Sequence, residues 1–180
     1  MRKVFCIVLI TLLGASSLVA GTLAGVTLPD TANVGGKSLV LNGIALRTKM
    51  GVKVYVAGLY LPQKSSDGTA ILNADAPKRI VLHATRELDS GKLKDAIGDG
   101  FDASAKANLK AQIDQFMSGL ETLKAGEEMA ITYLPGTGTI LNVNGKDKLT
   151  IPGLPFAQAV FGVWLGAKSP GDVKRALLGQ

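Results

Sequence analysis

Arg47 and Tyr55 are the two side chains whose types and spacing offer chemistry. Arg47 stands alone in an apolar approach, Asn42 to Leu46, to the run Val52 to Leu61, VKVYVAGLYL. Val52, Val54, Val56 and Leu61 are strand formers, and Tyr55 and Tyr60 add aromatic bulk. The run is apolar on both faces, the pattern of a central strand covered on both sides. A strand covered twice leaves little room for a charge, so Arg47 either sits at the rim in water or points into a cavity. A buried arginine costs several kcal/mol unless an anion answers it. An internal carboxylate such as Glu87 is one answer, and a ligand carboxylate is the other. Tyr55, eight residues on, carries a hydroxyl that can donate to the same anion. Trp164, in a nearly all-apolar segment near the C-terminus, is the third feature of this kind.

Other chemistries lack their residues. A transition-metal site needs convergent His, Cys, Asp or Glu, and the chain has one histidine, His83, and one cysteine, Cys6. No metal site and no cofactor are expected. His83 falls in a strand pattern and reads as a half-buried side chain with one hydrogen bond. There is no Gly-x-Ser-x-Gly elbow for a serine nucleophile. Pro135-Gly136-Thr137-Gly138 has neither the lysine nor the following helix of a phosphate loop, so it reads as a hairpin turn. The formal charge is +6, of which Arg2 and Lys3 carry two, and it is spread along the chain without a basic stripe. Nucleic acid is therefore not an expected partner, although a mild positive charge attracts anionic ligands.

The elements that must position Arg47 and Tyr55 follow from the pattern. The N-terminus reads as a secretory leader: charged Arg2-Lys3, apolar Val4 to Leu13, then small residues to Ala24. Cleavage is expected after Ala24 or after Gly21. The apolar core is short for a membrane span of about 20 residues, and no cysteine follows it to carry a lipid. The expectation is residues 1–24 as signal peptide and 25–180 as one periplasmic or secreted domain without a stable membrane anchor. Cys6 leaves with the leader, so no disulfide is expected.

In the rest of the chain, Val26 to Lys37 reads as a strand or loop. Ser38 to Leu41 is a short strand, and Asn42-Gly43 carries a hairpin signal before Ile44 to Lys49. Met50-Gly51 leads into the central strand. Thr69 to Asp75 predicts a helical turn capped near Thr69, and Lys78 to Glu87 a further strand. Asp89 or Ser90 opens a helix weakened by Gly98 and Gly100. Leu109, Ile113, Phe116, Leu120 and Leu123 step by four, three, four and three, which predicts one helix from Ser104 to Leu123. Glu127 to Leu134, Thr139 to Val143 and Lys148 to Ile151 read as a strand meander, with a hairpin at Asn144-Gly145. Phe156 to Leu165 is an apolar helix. Ser169 reads as a cap, with Pro170 at the first position of the last helix. The fold class is α+β, an antiparallel sheet with helices on one face.

Asn-Gly…Leu-Arg followed by Lys53-Val54-Tyr55-Val56-Ala57-Gly58-Leu59-Tyr60-Leu61 resembles the core strand of the chalcone isomerase fold. Arg79 to Ser90, Gly126 to Tyr133 and Phe156 to Gly166 followed by Ser169-Pro170 resemble it too, over roughly residues 35–179. The resemblance implies an open sandwich of the chalcone isomerase-like type. It is strongest to the branch exported by bacteria and to the plant fatty-acid-binding members. In true chalcone isomerases an arginine polarises the substrate carbonyl and stabilises the enolate, and Arg47 matches it. Tyr55 falls where they use a threonine, Leu93 where they use a tyrosine, Gly100 near their asparagine and Val163 near a late polar residue. Most of their hydrogen-bonding set is absent, and one good donor is worth about 3–4 kcal/mol in the transition state. Flavonoid cyclisation is not expected. The fatty-acid-binding members pair the arginine with a tyrosine at the Tyr55 position, and the two hold a carboxylate.

The resemblance therefore implies a non-catalytic binder of a fatty acid or similar amphipathic carboxylate. Arg47 and Tyr55 would hold the headgroup, and Leu93, Val163 and Trp164 would line the cleft. Two other readings stand beside it. One is an isomerase (an intramolecular lyase) that uses Arg47 as electrophile on an unsaturated carbonyl compound. The other is a structural envelope protein whose Arg47 pairs with an internal acid.

Overall fold

A computed structural model describes residues 21–180. Seven antiparallel strands form one sheet in sequential order: β3 (Thr31–Val34), β4 (Lys37–Lys49), β5 (Val52–Leu61), β6 (Lys78–Ala84), β7 (Glu128–Leu134), β8 (Gly138–Val143) and β9 (Lys146–Ile151). A separate hairpin, β1 (Gly21–Leu23) with β2 (Val26–Leu28), precedes them. The leader expected at residues 1–24 lies mostly outside the described residues. Two turns follow directly from sequence. Met50-Gly51 (φ 51° and 76°) and Asn144-Gly145 (φ 51° and 78°) each place both residues in the left-handed region. That is what a two-residue hairpin matched to strand twist requires.

The central strand is covered on both faces, as its composition implies: Val56 to Leu61 are all buried. Ala57, Leu59 and Leu61 face the helices, in the same core as Phe101, Phe116, Phe156 and Phe161. Tyr60 points the other way into a smaller cluster with Val34, Leu39, Val81 and Ala130. There its hydroxyl donates to the Pro29 carbonyl at 2.8 Å. Gly58 leaves room for Leu28, since a Cβ would lie 2.5 Å from its Cδ1.

Asn42-Gly43 is not a hairpin turn. β4 runs unbroken through it, and the pair is a bulge whose register shifts between Leu41 and Gly43. The reason is a docking contact that local sequence does not reveal. The Asn42 amide donates to Ser65 O (3.0 Å) and Leu177 O (2.8 Å), and its oxygen accepts from Ser65 N (2.7 Å). Gly43 lets the C-terminal helix reach the sheet. Asn42 is buried, so Asn42→Ala strands three backbone groups. It is expected to cost about 3 kcal/mol, read as a lowered urea midpoint; an unchanged midpoint contradicts the assignment.

The helices are α1 (Gly68–Asn73), α2 (Ser90–Gly100), α3 (Ala103–Asn108), α4 (Lys110–Ser118), α5 (Leu154–Leu165) and α6 (Gly171–Leu177). Aspartates cap the first three: Asp67 rather than Thr69 for α1, Asp89 for α2 and Asp102 for α3. The single helix expected from Ser104 to Leu123 is two, broken at Leu109 (φ −122°, ψ 25°) and ended at Ser118. Its apolar stripe still faces the core, but Leu120 and Leu123 do so from a loop, and Leu123 pairs with Leu88 in an isolated bridge. The last helix also begins differently. Pro170 is its cap residue, no side chain closes that end, and Asp172 supplies the acidic charge of the first turn.

β6 carries a feature that sequence reading passed over. Lys78 is 1% exposed. Its Nζ donates to Ile71 O (2.8 Å), Ala74 O (2.7 Å) and Leu72 O (3.4 Å), closing the C-terminal end of α1. The same ammonium lies 5.4 Å from the Tyr133 ring centre, and the Tyr133 hydroxyl donates to Asp75 at 2.5 Å. Burial lowers the Lys78 pKa to about 8 and raises those of Tyr60 and Tyr133 to about 12. A lysine depressed on folding leaves the unfolded chain holding more protons from pH 8 up to its ordinary range. Stability therefore rises through that window. Tyrosines raised on folding reverse the sign above pH 10. Stability is expected to climb by about 2 kcal/mol between pH 8 and 10 and to fall beyond it. Urea titrations across pH 7–11 check this, and Lys78→Met should flatten the rise.

Candidate functional site

Arg47 and Tyr55 are direct cross-strand partners, on β4 and β5, at the Met50-Gly51 end of the sheet. Alternation puts them on the helix-facing side with Ala45 and Ala57, which are buried in the main core. Arg47 is half-buried, neither out in water nor sealed inside. Among the described residues no carboxylate lies within 4.0 Å of its guanidinium. Glu87, the internal acid that sequence offered, is exposed and forms no ion pair in this set.

α5 supplies the third member. Trp164 is 3% exposed, and its Nε1 donates to the Tyr55 hydroxyl at 3.1 Å. A hydroxyl that accepts from an indole keeps its own hydrogen to give. Burial raises the Tyr55 pKa, with the Trp164 bond and the Arg47 charge opposing that and Asp172 adding to it. The hydroxyl is thus a neutral donor at physiological pH, beside a cation. Asp172, in the first turn of α6, is the residue sequence missed here, because only the docking of α6 on β4 brings its charge near Tyr55.

Leu93 on α2 and Val163 on α5 are buried in the same core as Trp164 and offer no polar atom. α2 and α5 meet closely there: a Cβ on Gly100 would lie 2.6 Å from Val163 Cγ1. The structure thus brings Arg47, Tyr55 and Trp164 together. Two cavities, of about 480 and 280 Å³, lie elsewhere, and neither is lined by Arg47, Tyr55, Leu93 or Val163.

His83 is the half-buried strand residue expected, with Nδ1 3.0 Å from Glu128 Oε1 on the far side of the sheet. Among the described residues no group of three or more His, Cys, Asp or Glu gathers as metal ligands, and no helix is long and apolar enough to cross a membrane.

Comparison with known proteins places this geometry in context. No curated protein matches the chain. Among solved structures, the fatty-acid binding protein of Arabidopsis thaliana is similar, with a TM-score of 0.69 at 13% identity. The match covers 86% of this chain and 92% of that one, and at this identity it shows the shared fold. The family model described as chalcone isomerase-like matches residues 20–179. With its sequential antiparallel sheet, its helical layer and a family match over nearly its whole length, the chain belongs to the chalcone isomerase-like family.

Proposed function

We propose that this protein binds a fatty acid or a similar amphipathic carboxylate without catalysis, with Arg47 and Tyr55 holding the carboxylate. One observation carries the reading. Trp164 occupies the acceptor side of the Tyr55 hydroxyl, so its proton is left to donate beside an arginine that has no carboxylate within 4.0 Å among the described residues. A carboxylate fits both vacant positions, as acceptor and as counter-charge. The fold shared with a fatty-acid binding protein supports the same ligand class. Catalysis of the chalcone isomerase type is disfavoured because Leu93, Gly100 and Val163 have no donor to offer. The leader-like N-terminus supports a periplasmic or secreted location.

The energy divides unevenly. Burying twelve methylenes contributes about 10 kcal/mol gross, while a charge-assisted hydrogen bond adds about 1.5–3 kcal/mol. The tail gives affinity, and Arg47 with Tyr55 gives orientation and rejects uncharged lipids. Native mass spectrometry of the wild type and Arg47→Ala, each mixed with a panel of fatty acids, tests the reading. Fewer acids retained per chain by the variant than by the wild type is the expected result. No bound acid, or equal retention by both, contradicts it.

A further inference from the structure

The larger cavity lies on the other side of α5. Its volume is about 480 Å³, within the range of small-ligand sites. Pro155, Gln158, Ala159 and Gly162 of α5, with Gly166 just past its end, form its floor, and Leu72 of α1, Ala105 of α3 and Leu109 at the α3–α4 break form its walls. Trp164 is two residues past Gly162, about 200° round the helix, so α5 separates this cavity from Arg47 and Tyr55.

Gly162 is the telling residue. Gly100 and Gly166 are required by packing: a Cβ would lie 2.6 Å from Val163 Cγ1 at the first and 2.4 Å from Gly162 O at the second. At Gly162 an added Cβ meets nothing within 4 Å, and its backbone is ordinary helix. A mid-helix glycine costs about 1 kcal/mol against alanine. The fold does not require this glycine, yet its bareness deepens the cavity.

The polar side chains of the lining are Asn73, Asp102, Ser104, Asn108, Gln158 and Lys168. Lys168 stands at one end, its Nζ held by Phe101 O (2.7 Å) and Asp99 O (3.3 Å), with hydrogen left for a third acceptor. Asp102, the one acid in the lining, accepts the Ala105 N–H at 2.7 Å as the cap of α3. At the other end Gln158 Nε2 donates to Asn73 Oδ1 at 3.3 Å, an uncharged pair. The floor from Pro155 to Gly166 runs about 16 Å along the helix axis. We propose that this cavity is a second ligand site, for a single-chain anionic amphiphile lying along α5 with its headgroup at Lys168.

The inference is independent of the Arg47 site, and the test keeps them apart. Dodecanoate is titrated into Arg47→Ala protein while backbone amide resonances are followed by NMR. The signals of Gly100, Gly162 and Gly166 are expected to shift saturably. Adding Gly162→Leu should weaken that binding at least 10-fold. Gly162→Ala should weaken it about 3-fold while raising the melting temperature by about 2–4 °C, a combination that a purely structural glycine would not give. Lys168→Met should weaken it about 5-fold. Absence of shifts at these glycines, or equal binding by Gly162→Leu and Gly162→Ala, overturns the proposal. So does a dimer in sedimentation that Gly162→Leu dissociates, since a second copy would then be the occupant.

Discussion

Arg47→Ala is expected to lower the affinity for a long-chain fatty acid about 10- to 100-fold, the equivalent of one charge-assisted contact of about 1.5–3 kcal/mol. The weak binding of the methyl ester should be unchanged, because an ester presents no charge for the guanidinium to answer. Tyr55→Phe should cost less, about 5-fold, since it removes a neutral donor. Arg47→Ala is not expected to alter folding much, because Arg47 has no ion-pair partner within 4.0 Å among the described residues. Tyr55→Phe keeps the ring but leaves the buried Trp164 Nε1–H without its acceptor, and should lower stability by about 1–3 kcal/mol. Isothermal titration with dodecanoate and methyl dodecanoate checks all three statements. Equal loss for acid and ester in Arg47→Ala would show that the arginine acts through packing and not through charge.

Gly43→Val should abolish folding or lower the melting temperature by more than 10 °C. A Cβ at this position would lie 2.2 Å from Ala176 O and 2.5 Å from Leu177 O, both backbone atoms that cannot rotate aside. α6 would have to lift from β4, breaking the Asn42 bond to Leu177 O and uncovering Val173 and Leu177, which are buried. Losing two such side chains from the core costs on the order of 3–6 kcal/mol, a large part of a domain's net stability. Circular dichroism melts of the purified variant give the answer. A melting point within a few degrees of wild type contradicts the docking described for this helix.

Much of the architecture was legible because local pattern and tertiary role agreed. The central strand announced its double coverage by being apolar at every position from Val54 to Leu61, and Asn144-Gly145 formed the turn its residue types demand. The Arg47–Tyr55 pairing was not legible from spacing: the two-residue turn at Met50-Gly51 alone would oppose Arg47 to Val54, and a register shift between Arg47 and Thr48 brings Tyr55 there instead. The failures share a cause. Asn42-Gly43 has hairpin chemistry, but the side chain is spent on Ser65 and on Leu177, 135 residues away. The leucine stripe from Leu109 to Leu123 reports which side faces the core, and a broken helix plus a loop satisfies that as well as one helix does. Lys78 has no helical or strand signal that marks it as a cap for α1. The bond from Trp164 to Tyr55 joins residues 109 apart, and no spacing rule reaches that far.

That bond also provides the reporter. Trp164 is the only tryptophan in the chain, and it donates directly to the hydroxyl proposed to hold the ligand. Its emission, followed while dodecanoate is added at neutral pH, should change saturably in the wild type, and the midpoint should move to about 10- to 100-fold higher concentration in Arg47→Ala. An emission change of the same size and midpoint in Arg47→Ala, or none in wild-type protein that demonstrably carries bound acid, would contradict the assignment of the carboxylate to Arg47 and Tyr55.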